Sequence, residues 1–229
     1  MRPARRTFTD KQQLADALAE AVAGNLKAGI AARGAGSLAV SGGSTPGLFF
    51  RTLAQRADVP WDKVTVTLVD ERWVDESSDR SNGRLVKANL LQGRAAAATF
   101  VPLYHGGSVP DIATASAAQS QVPQPLDVAI LGMGNDGHTA SFFPGGDNLT
   151  DALTAEGPVV AINAPGAGEP RVTLTLRRLV SARALYLQIE GEEKVETLRK
   201  AEAEGPIEAM PIRAILRQTQ TPLTIFWCP

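Results

Sequence analysis

The stretch DVAILGMGNDGHTASFFPG, from Asp127 to Gly145, constrains the fold of this chain more than any other segment. Residues 128–131 are a short apolar run that ends at a glycine, which is typical of a strand buried on both faces. The loop that follows carries three glycines and three polar side chains: Gly132, Gly134, Gly137, Asn135, Asp136 and His138. Because ligands of open α/β sheets bind at the carboxyl ends of strands, this pattern predicts a functional loop.

Composition excludes several classes of protein. The 229 residues carry a formal net charge of −1, which gives no basic footprint for nucleic acid. No apolar run approaches the roughly 18 residues of a membrane-spanning helix, and the segment MRPARRTFTD lacks the apolar core of a signal peptide. The single cysteine, Cys228, cannot form an internal disulfide, which fits a reducing compartment, and we assign it no catalytic part. We therefore expect a cytoplasmic protein that binds neither nucleic acid nor membrane.

Predicted strands and helices alternate along the chain, which favours a mostly parallel sheet with helices on both faces, in three layers. The first helix is capped by Thr9 or Asp10, repeats apolar residues every fourth position as far as Ile30, and ends at a glycine cluster. The predicted strands are 37–40, 64–69, 99–104, 128–131, 159–162, 171–176, 184–189 and 223–227. The long helices predicted after the first one are 82–91, 111–121 and 192–203. No linker interrupts them, so we expect residues 1–229 to form a single α/β domain.

A second glycine-rich turn, SGGSTP at 41–46, follows the strand predicted at 37–40. Thr45 suits the cap of a helix and Pro46 its first position, so free amides of the turn would point at one spot. An anion would sit well there. The turn is not a P-loop, because the Gly-Lys-Ser/Thr ending is missing.

Charged residues follow the β-prone run VTVTLV, where Asp70, Glu71 and Arg72 come directly after the predicted strand. Such residues can simply begin a solvated loop. An arginine with neighbouring carboxylates, placed beside a helix N-terminus, is also suited to hold a polar, partly charged substrate. The residues alone leave both readings open.

Three further side chains have positions that the pattern alone does not explain. Lys194 lies in the first turn of a predicted helix, where it opposes the helix dipole and is either incidental or supported by an anion. Arg171 begins a predicted strand and could equally be solvated. His105 lies in a glycine-containing turn, and we assign it no role.

The glycines of the central loop match G-x-G-x-x-G, the spacing of the dinucleotide-binding fingerprint. That fingerprint belongs to a first βα unit with a long helix immediately after it, whereas this strand comes late and Pro144 follows within seven residues of the last glycine. We therefore reject a dinucleotide site and interpret the glycines as shaping a catalytic loop.

Four separated segments together resemble the 6-phosphogluconolactonase family, within the superfamily that includes glucosamine-6-phosphate isomerases/deaminases. They are SGGSTP, DERWV with SNGRLVKANLL, LGMGNDGHTASFFPG and PRVTLT. The resemblance implies a Rossmann-like α/β fold and hydrolysis of 6-phospho-D-glucono-1,5-lactone to 6-phosphogluconate in the pentose phosphate pathway. It implies a phosphosugar lactone as the small-molecule partner and no metal or organic cofactor. We also expect a monomer.

Lactone hydrolysis needs a base for water, donors for the oxyanion at C1 and an anchor for the remote phosphate. Histidine changes its protonation near neutral pH, so we assign the base to His138. Asp136 or Asp70 would support its imidazole. Amides of residues 134–137 or Arg72 would meet the oxyanion, and we favour Arg72 as a substrate ligand.

The phosphate anchor has candidates from the turn and from the resemblance. The glycine-rich turn offers Gly43, Ser44 and Thr45 through amides and hydroxyls. The resemblance adds Arg171 and Lys194, which would supply a bidentate fork and a point charge respectively.

Two positions discriminate between the branches of the superfamily. The isomerase/deaminase pattern places a glutamate five residues after the histidine, where this chain has Phe143. Arg72 follows Asp70-Glu71 as in lactonases, where deaminases typically carry an aromatic residue. Both favour hydrolysis over the isomerase/deaminase alternative. A non-catalytic sugar-phosphate sensor is the third reading, but it would normally carry a DNA-binding module, and no such segment is evident.

Overall fold

The computed structural model describes residues 3–229, which form ten strands and eight α-helices. The strands are β1 (Ala4–Thr7), β2 (Gly36–Val40), β3 (Val64–Leu68), β4 (Asp70–Arg72), β5 (Thr99–Val101), β6 (Val128–Leu131), β7 (Val159–Ile162), β8 (Arg171–Leu174), β9 (Ala184–Glu190) and β10 (Leu223–Cys228). The helices are α1 (Lys11–Arg33), α2 (Gly47–Ala54), α3 (Asn82–Asn89), α4 (Ile112–Gln119), α5 (Leu149–Thr154), α6 (Leu176–Val180), α7 (Glu192–Glu202) and α8 (Ile212–Arg217).

Seven strands form a parallel sheet in the order β1-β10-β9-β6-β2-β3-β5. Every residue of β2 and β6 is buried, so both faces of the central sheet are covered. This explains why these strands read as continuous apolar runs without alternation. The predicted α/β architecture with a mostly parallel sheet is confirmed.

The order of the strands places a topological switch point between β2 and β6. From β2 the chain proceeds outward through β3 and β5, then returns to the other side of β2 to form β6, and continues outward through β9 and β10. Loops that leave β2 and β6 therefore diverge and open a crevice at the carboxyl ends of these strands. The two glycine-rich segments predicted from the sequence are these two loops.

Helix α1 supports the sheet from one side and has the predicted caps. The Asp10 carboxylate accepts a hydrogen bond of 2.8 Å from the amide of Gln13, which identifies Asp10 rather than Thr9 as the cap. The helix ends at Gly34, whose φ of +78° allows its amide to donate to the carbonyl of Ile30. Most of its apolar stripe, including Leu14 and Leu26, is fully buried in the core, and Ile30 is partly buried.

A second, antiparallel sheet of three strands, in the order β4-β8-β7, was not predicted. It forms because the chain continues beyond β3 into β4, where Asp70 pairs with Thr173 and Arg72 pairs with Arg171. Of the two readings left open for residues 70–72, the start of a solvated loop is therefore excluded. This small sheet brings Asp70 and Arg171, which are distant in the sequence, to the same edge of the crevice.

Several predicted boundaries are corrected for identifiable reasons. The strand predicted at 99–104 ends at Val101, because Pro102 has no amide to donate to a ladder. The strand predicted at 171–176 ends at Leu174, because the Thr175 hydroxyl accepts from the amide of Arg178 and caps α6. The capping role of Thr45 is also wrong: Pro46 precedes α2, and its carbonyl accepts from the amide of Phe50. The remaining predicted elements occur with boundaries within about two residues.

Among residues 3–229, no helix combines the length and the apolar character needed to cross a membrane.

Candidate active site

A cleft lies at the switch point, between the loops that follow β2 and β6. Most of the site residues predicted from the sequence line it: Gly43, Ser44, Thr45, Asp70, Arg72, His138, Arg171 and Lys194. Asp136 is the exception, since it contacts His138 but does not line the cleft itself. The structure therefore gathers the predicted residues at one place.

His138 is held by Asp136 through two contacts. An oxygen of the Asp136 carboxylate lies 2.6 Å from Nδ1 of the imidazole and 3.0 Å from the backbone nitrogen of the same histidine. Burial raises the pKa of Asp136, but its hydrogen bonds with His138 outweigh this and hold the pKa below its ordinary value. Asp136 is therefore ionised at neutral pH, and it accepts a hydrogen bond from Nδ1. In a neutral imidazole the other ring nitrogen, Nε2, then holds the lone pair.

Gly134 is required by this pair, because a Cβ there would overlap the His138 ring and the Asp136 carboxylate. The amide of Gly134 donates to the carbonyl of His138, and the amide of Gly137 donates to the carbonyl of Gly134. These bonds close the loop on itself and fix the histidine. They also engage two of the amides that had been considered for the oxyanion.

Phe143 packs between His138 and Arg171. Its ring centroid is 4.3 Å from that of the imidazole, and the guanidinium carbon of Arg171 lies 5.3 Å from the same centroid. An apolar ring thus occupies the position where the isomerase/deaminase pattern has a carboxylate. It packs against the imidazole on one side and stacks favourably on the cation on the other.

Asp70 also lines the cleft, where it is buried and makes different contacts from those of Asp136. Its carboxylate accepts a hydrogen bond of 2.6 Å from the hydroxyl of Ser141 and lies 3.7 Å from the nearest guanidinium nitrogen of Arg171. Arg171 is also buried and donates to the carbonyl of Ala167. Burial lowers the pKa of Arg171, and the charge of Asp70 opposes this. Of the two candidate carboxylates, the structure brings Asp136 to the histidine and Asp70 to the arginine.

Glu71 has a structural task that the sequence analysis missed. Its buried carboxylate accepts from the backbone amides of Asn82 at 2.8 Å and Gly83 at 2.7 Å, and so satisfies the N-terminus of α3. Burial raises the pKa of Glu71, and the backbone hydrogen bonds oppose the shift. The segment SNG at 81–83, which begins a helix with free amides, is the signal that could have identified this carboxylate.

Arg72 is oriented by α3. One of its terminal nitrogens donates to the carbonyl of Arg80 at 2.6 Å and to the side-chain oxygen of Asn82 at 2.8 Å. Asn82 in turn packs against Gly42, where a Cβ would overlap its amide. This chain of contacts couples Arg72 to the glycine-rich turn after β2, and Asn82 was not predicted as part of the site.

The turn after β2 presents backbone donors to the cleft. Gly43 has a φ of +93°, a left-handed conformation that favours glycine. Within residues 3–229, the amides of residues 42–45 donate to no acceptor of the protein. Together with the N-terminus of α2, they form a cradle suited to an anion.

Lys194 projects from the first turn of α7, and its ammonium contacts the side-chain oxygen of Asn135 in the His138 loop. A buried amide from β9, Gln188, also lines the cleft, and neither Asn135 nor Gln188 was predicted to have a role. Both lie beside predicted residues, but a single polar residue in an apolar strand or in a loop gives no distinctive pattern.

Within the described part of the chain, no group of three or more His, Cys, Asp or Glu side chains is arranged to hold a metal ion. Cys228 is buried in the core, away from the cleft lining.

Comparison with known proteins identifies the family. The family model described as glucosamine-6-phosphate isomerases/6-phosphogluconolactonase matches residues 9–227. A 6-phosphogluconolactonase from Rhizobium meliloti is 54% identical over 226 residues, which cover 97% of each chain. One from Mesorhizobium japonicum is 52% identical, over 97% of this chain and 94% of the relative.

Solved structures agree with this match. The crystal structure of a 6-phosphogluconolactonase from Shewanella baltica superimposes with a TM-score of 0.97 at 41% identity, covering 99% of this chain and 98% of the other. The resemblance found in the four sequence segments is thereby confirmed over nearly the whole length. The chain belongs to the 6-phosphogluconolactonase family, within the glucosamine-6-phosphate isomerase/6-phosphogluconolactonase superfamily.

Proposed function

We propose that this chain hydrolyses 6-phospho-D-glucono-1,5-lactone to 6-phosphogluconate, with His138 as the general base. The observation that carries the proposal is the His138–Asp136 pair, 2.6 Å apart, at a cleft that Arg72, Arg171 and Lys194 also line. A base and several cations in one cleft suit an electrophilic, anionic sugar derivative. Membership of the family supports the same reaction.

The contact with Asp136 determines which nitrogen of His138 acts. Because the ionised carboxylate can only accept, Nδ1 carries the proton and Nε2 is left to take a proton from water. The resulting hydroxide adds to C1 of the lactone, and the carbonyl electrons move onto oxygen. The C1–O5 bond then breaks, and the ring oxygen takes the proton back from Nε2. Such acid–base catalysis contributes about 10²- to 10⁴-fold.

Arg72 is proposed to contact the substrate near the reacting carbon. The amides of Gly134 and Gly137 are already bonded within the loop. Only one terminal nitrogen of Arg72 is engaged by Arg80 and Asn82, so the guanidinium keeps donors for a carbonyl or hydroxyl oxygen. A donor aimed at developing negative charge is usually a large catalytic contribution.

The phosphate is proposed to bind between the turn after β2 and the cations of the cleft. Amides of residues 42–45 supply neutral donors, while Arg171 and Lys194 supply positive charge. The anchor fixes the remote end of the substrate and so orients C1 toward His138. Asp70 is proposed to hold Arg171 in place, since it contacts that residue and Ser141.

The test is direct assay of the purified chain on two substrates. Release of 6-phosphogluconate from freshly prepared lactone is followed in a rapid coupled assay, with the spontaneous opening subtracted, and glucosamine 6-phosphate is assayed in parallel. Hydrolysis of the lactone with no turnover of the amino sugar is expected, because Phe143 replaces the glutamate of the isomerase/deaminase pattern. Turnover of glucosamine 6-phosphate, or of neither compound, would contradict the proposal.

A further inference from the structure

Asn135 forms a bridge between Lys194, proposed to bind the phosphate, and the loop that carries His138. Its side-chain oxygen contacts the ammonium of Lys194, and its side-chain nitrogen donates to the Glu193 carboxylate at 2.6 Å. Both partners belong to the first turn of α7. Asn135 directly precedes Asp136 in the loop that holds His138, so this side chain connects the loop to the helix.

The orientation of the Asn135 amide follows from charge. The Glu193 carboxylate can only accept hydrogen bonds, so the amide NH₂ group must face it. The carbonyl oxygen must then face Lys194, whose ammonium can only donate. Two opposite charges on one helix turn therefore fix one conformation of one loop residue.

This conformation leaves Lys194 available to a ligand. An ammonium has three donors, of which Asn135 takes one. Lys194 lines the cleft, so its two other donors are available to a ligand bound there. The bridge removes rotamer freedom from a long side chain before a ligand arrives, and that freedom would otherwise be lost on binding.

We propose that Asn135 is a positioning residue that holds Lys194 at a fixed place relative to the Asp136–His138 pair, and so makes the enzyme select phosphorylated over unphosphorylated lactones. The inference rests on the proposed function. Binding of a substrate phosphate to Lys194 then aligns the reacting carbon with His138 through the bridge. A lactone without phosphate gains nothing from the bridge, because it leaves Lys194 unengaged.

The experiment is a double-mutant cycle of Asn135→Ala and Lys194→Met, read as kcat/KM on 6-phospho-D-glucono-1,5-lactone and on D-glucono-1,5-lactone. The kcat/KM on the phosphorylated lactone divided by that on the unphosphorylated lactone is expected to fall about tenfold in Asn135→Ala, as for loss of one hydrogen bond to a charged group. The double variant is expected to lie within about twofold of Lys194→Met alone, because the two residues act as a unit. Additive losses, or an equal loss on both substrates, would overturn the inference.

Two further variants exclude a general structural effect. Asn163→Ala is the matched control, since Asn163 is an exposed asparagine with a comparable bond of 2.9 Å to Asp147, and it should leave the ratio unchanged. Asn135→Asp combined with Glu193→Gln exchanges the carboxylate and the amide while retaining both contacts. This pair should restore most of the ratio, and failure to do so would count against the bridge.

Calorimetric binding of 6-phosphogluconate to the same variants keeps this inference separate from the proposed function. A chain that binds the product but does not hydrolyse the lactone would refute the function. The affinities would still decide the role of Asn135, which is supported by about tenfold weaker binding in Asn135→Ala that is not additive with Lys194→Met. Unchanged affinity in Asn135→Ala would overturn it.

Discussion

Asp136 and His138 meet with only one residue between them in the sequence, and their side chains remain 46% and 31% exposed. Asp70 and Arg171, by contrast, meet across about a hundred residues of sequence, and their side chains are only 8% and 7% exposed. The first pair is made by the conformation of one glycine-rich loop. The second exists only because the small antiparallel sheet has formed.

This difference indicates which residues can be changed without loss of the fold. A half-exposed pair in a loop contributes little to the free energy of unfolding, so its replacement should affect the reaction far more than the stability. A buried pair of opposite charges is coupled to the fold, because removal of one partner leaves the other uncompensated in a medium of low polarity. Substitutions in the two pairs should therefore separate activity from stability.

The largest expected effect is that of His138→Ala. Lactone turnover should fall by about 10² to 10⁴, while the free energy of unfolding changes by no more than about 0.5 kcal/mol. Coupled kinetics and urea unfolding measure the two quantities. His105→Ala is the control, since His105 does not line the cleft. Full activity in His138→Ala would remove this residue from the mechanism.

Replacement of Arg171 by methionine should affect both quantities. It leaves the Asp70 carboxylate buried without its cation, so we expect a loss of about 3 kcal/mol in the free energy of unfolding. KM should rise about tenfold or more through loss of a charged phosphate ligand. Arg177→Met is the matched control, because Arg177 pairs with Glu156 at the surface and should contribute less than about 1 kcal/mol. Equal effects of the two variants on the free energy of unfolding would contradict the contrast between the buried and the exposed pair.

Glu71→Gln should reduce stability by about 2 kcal/mol. The carboxylate accepts from several amides at once, and a glutamine would turn an NH₂ group toward one of those donors. Urea unfolding gives the stability, and the KM of the variant reports any displacement of Arg72, which α3 orients. An unaltered unfolding midpoint would show that the N-terminus of α3 does not depend on this carboxylate.

The smallest effect concerns pH. The pKa of Asp136 is lower in the folded protein than its ordinary value of 3.8, so this carboxylate contributes stability above that pH. The contribution is lost as the pH falls through the lower, folded pKa. The difference in unfolding free energy between the wild type and Asp136→Asn should therefore shrink below about pH 4. A difference that grows on acidification would reverse the assigned direction of the shift.

The sequence predicts the loop of His138 and Asp136 well, because the residues that form it lie in one segment. Glycines at fixed spacing, an apolar strand before them and polar side chains within seven residues are all visible in one segment. Helix α1 is predicted because its apolar periodicity extends over many residues, whereas the short strands β2 and β6 are predicted because each is a continuous apolar run that leads into a glycine-rich turn.

The contact between Asp70 and Arg171 could not be derived in this way. β4 is three charged residues long, and it is a strand only because β8 pairs with it. The partners of Asp70 depend on tertiary structure, and no spacing in the sequence relates Asp70 to Ser141. The short helices α5, α6 and α8 were missed because five or six residues show too little periodicity.

The edge of the large sheet has a consequence for how the protein is made. β1 pairs with β10 and with no other strand of the described chain, and its own side chains are all exposed. Backbone bonds to residues 224–227 retain it, together with the Arg5–Glu202 ion pair and the Arg6 guanidinium, which lies over the Phe226 ring. A ribosome synthesises residues 4–7 early, but they must remain unpaired until the partner strand has emerged. Removal of β10 should consequently expose β9 and release β1 as well, so that one deletion costs the sheet two strands.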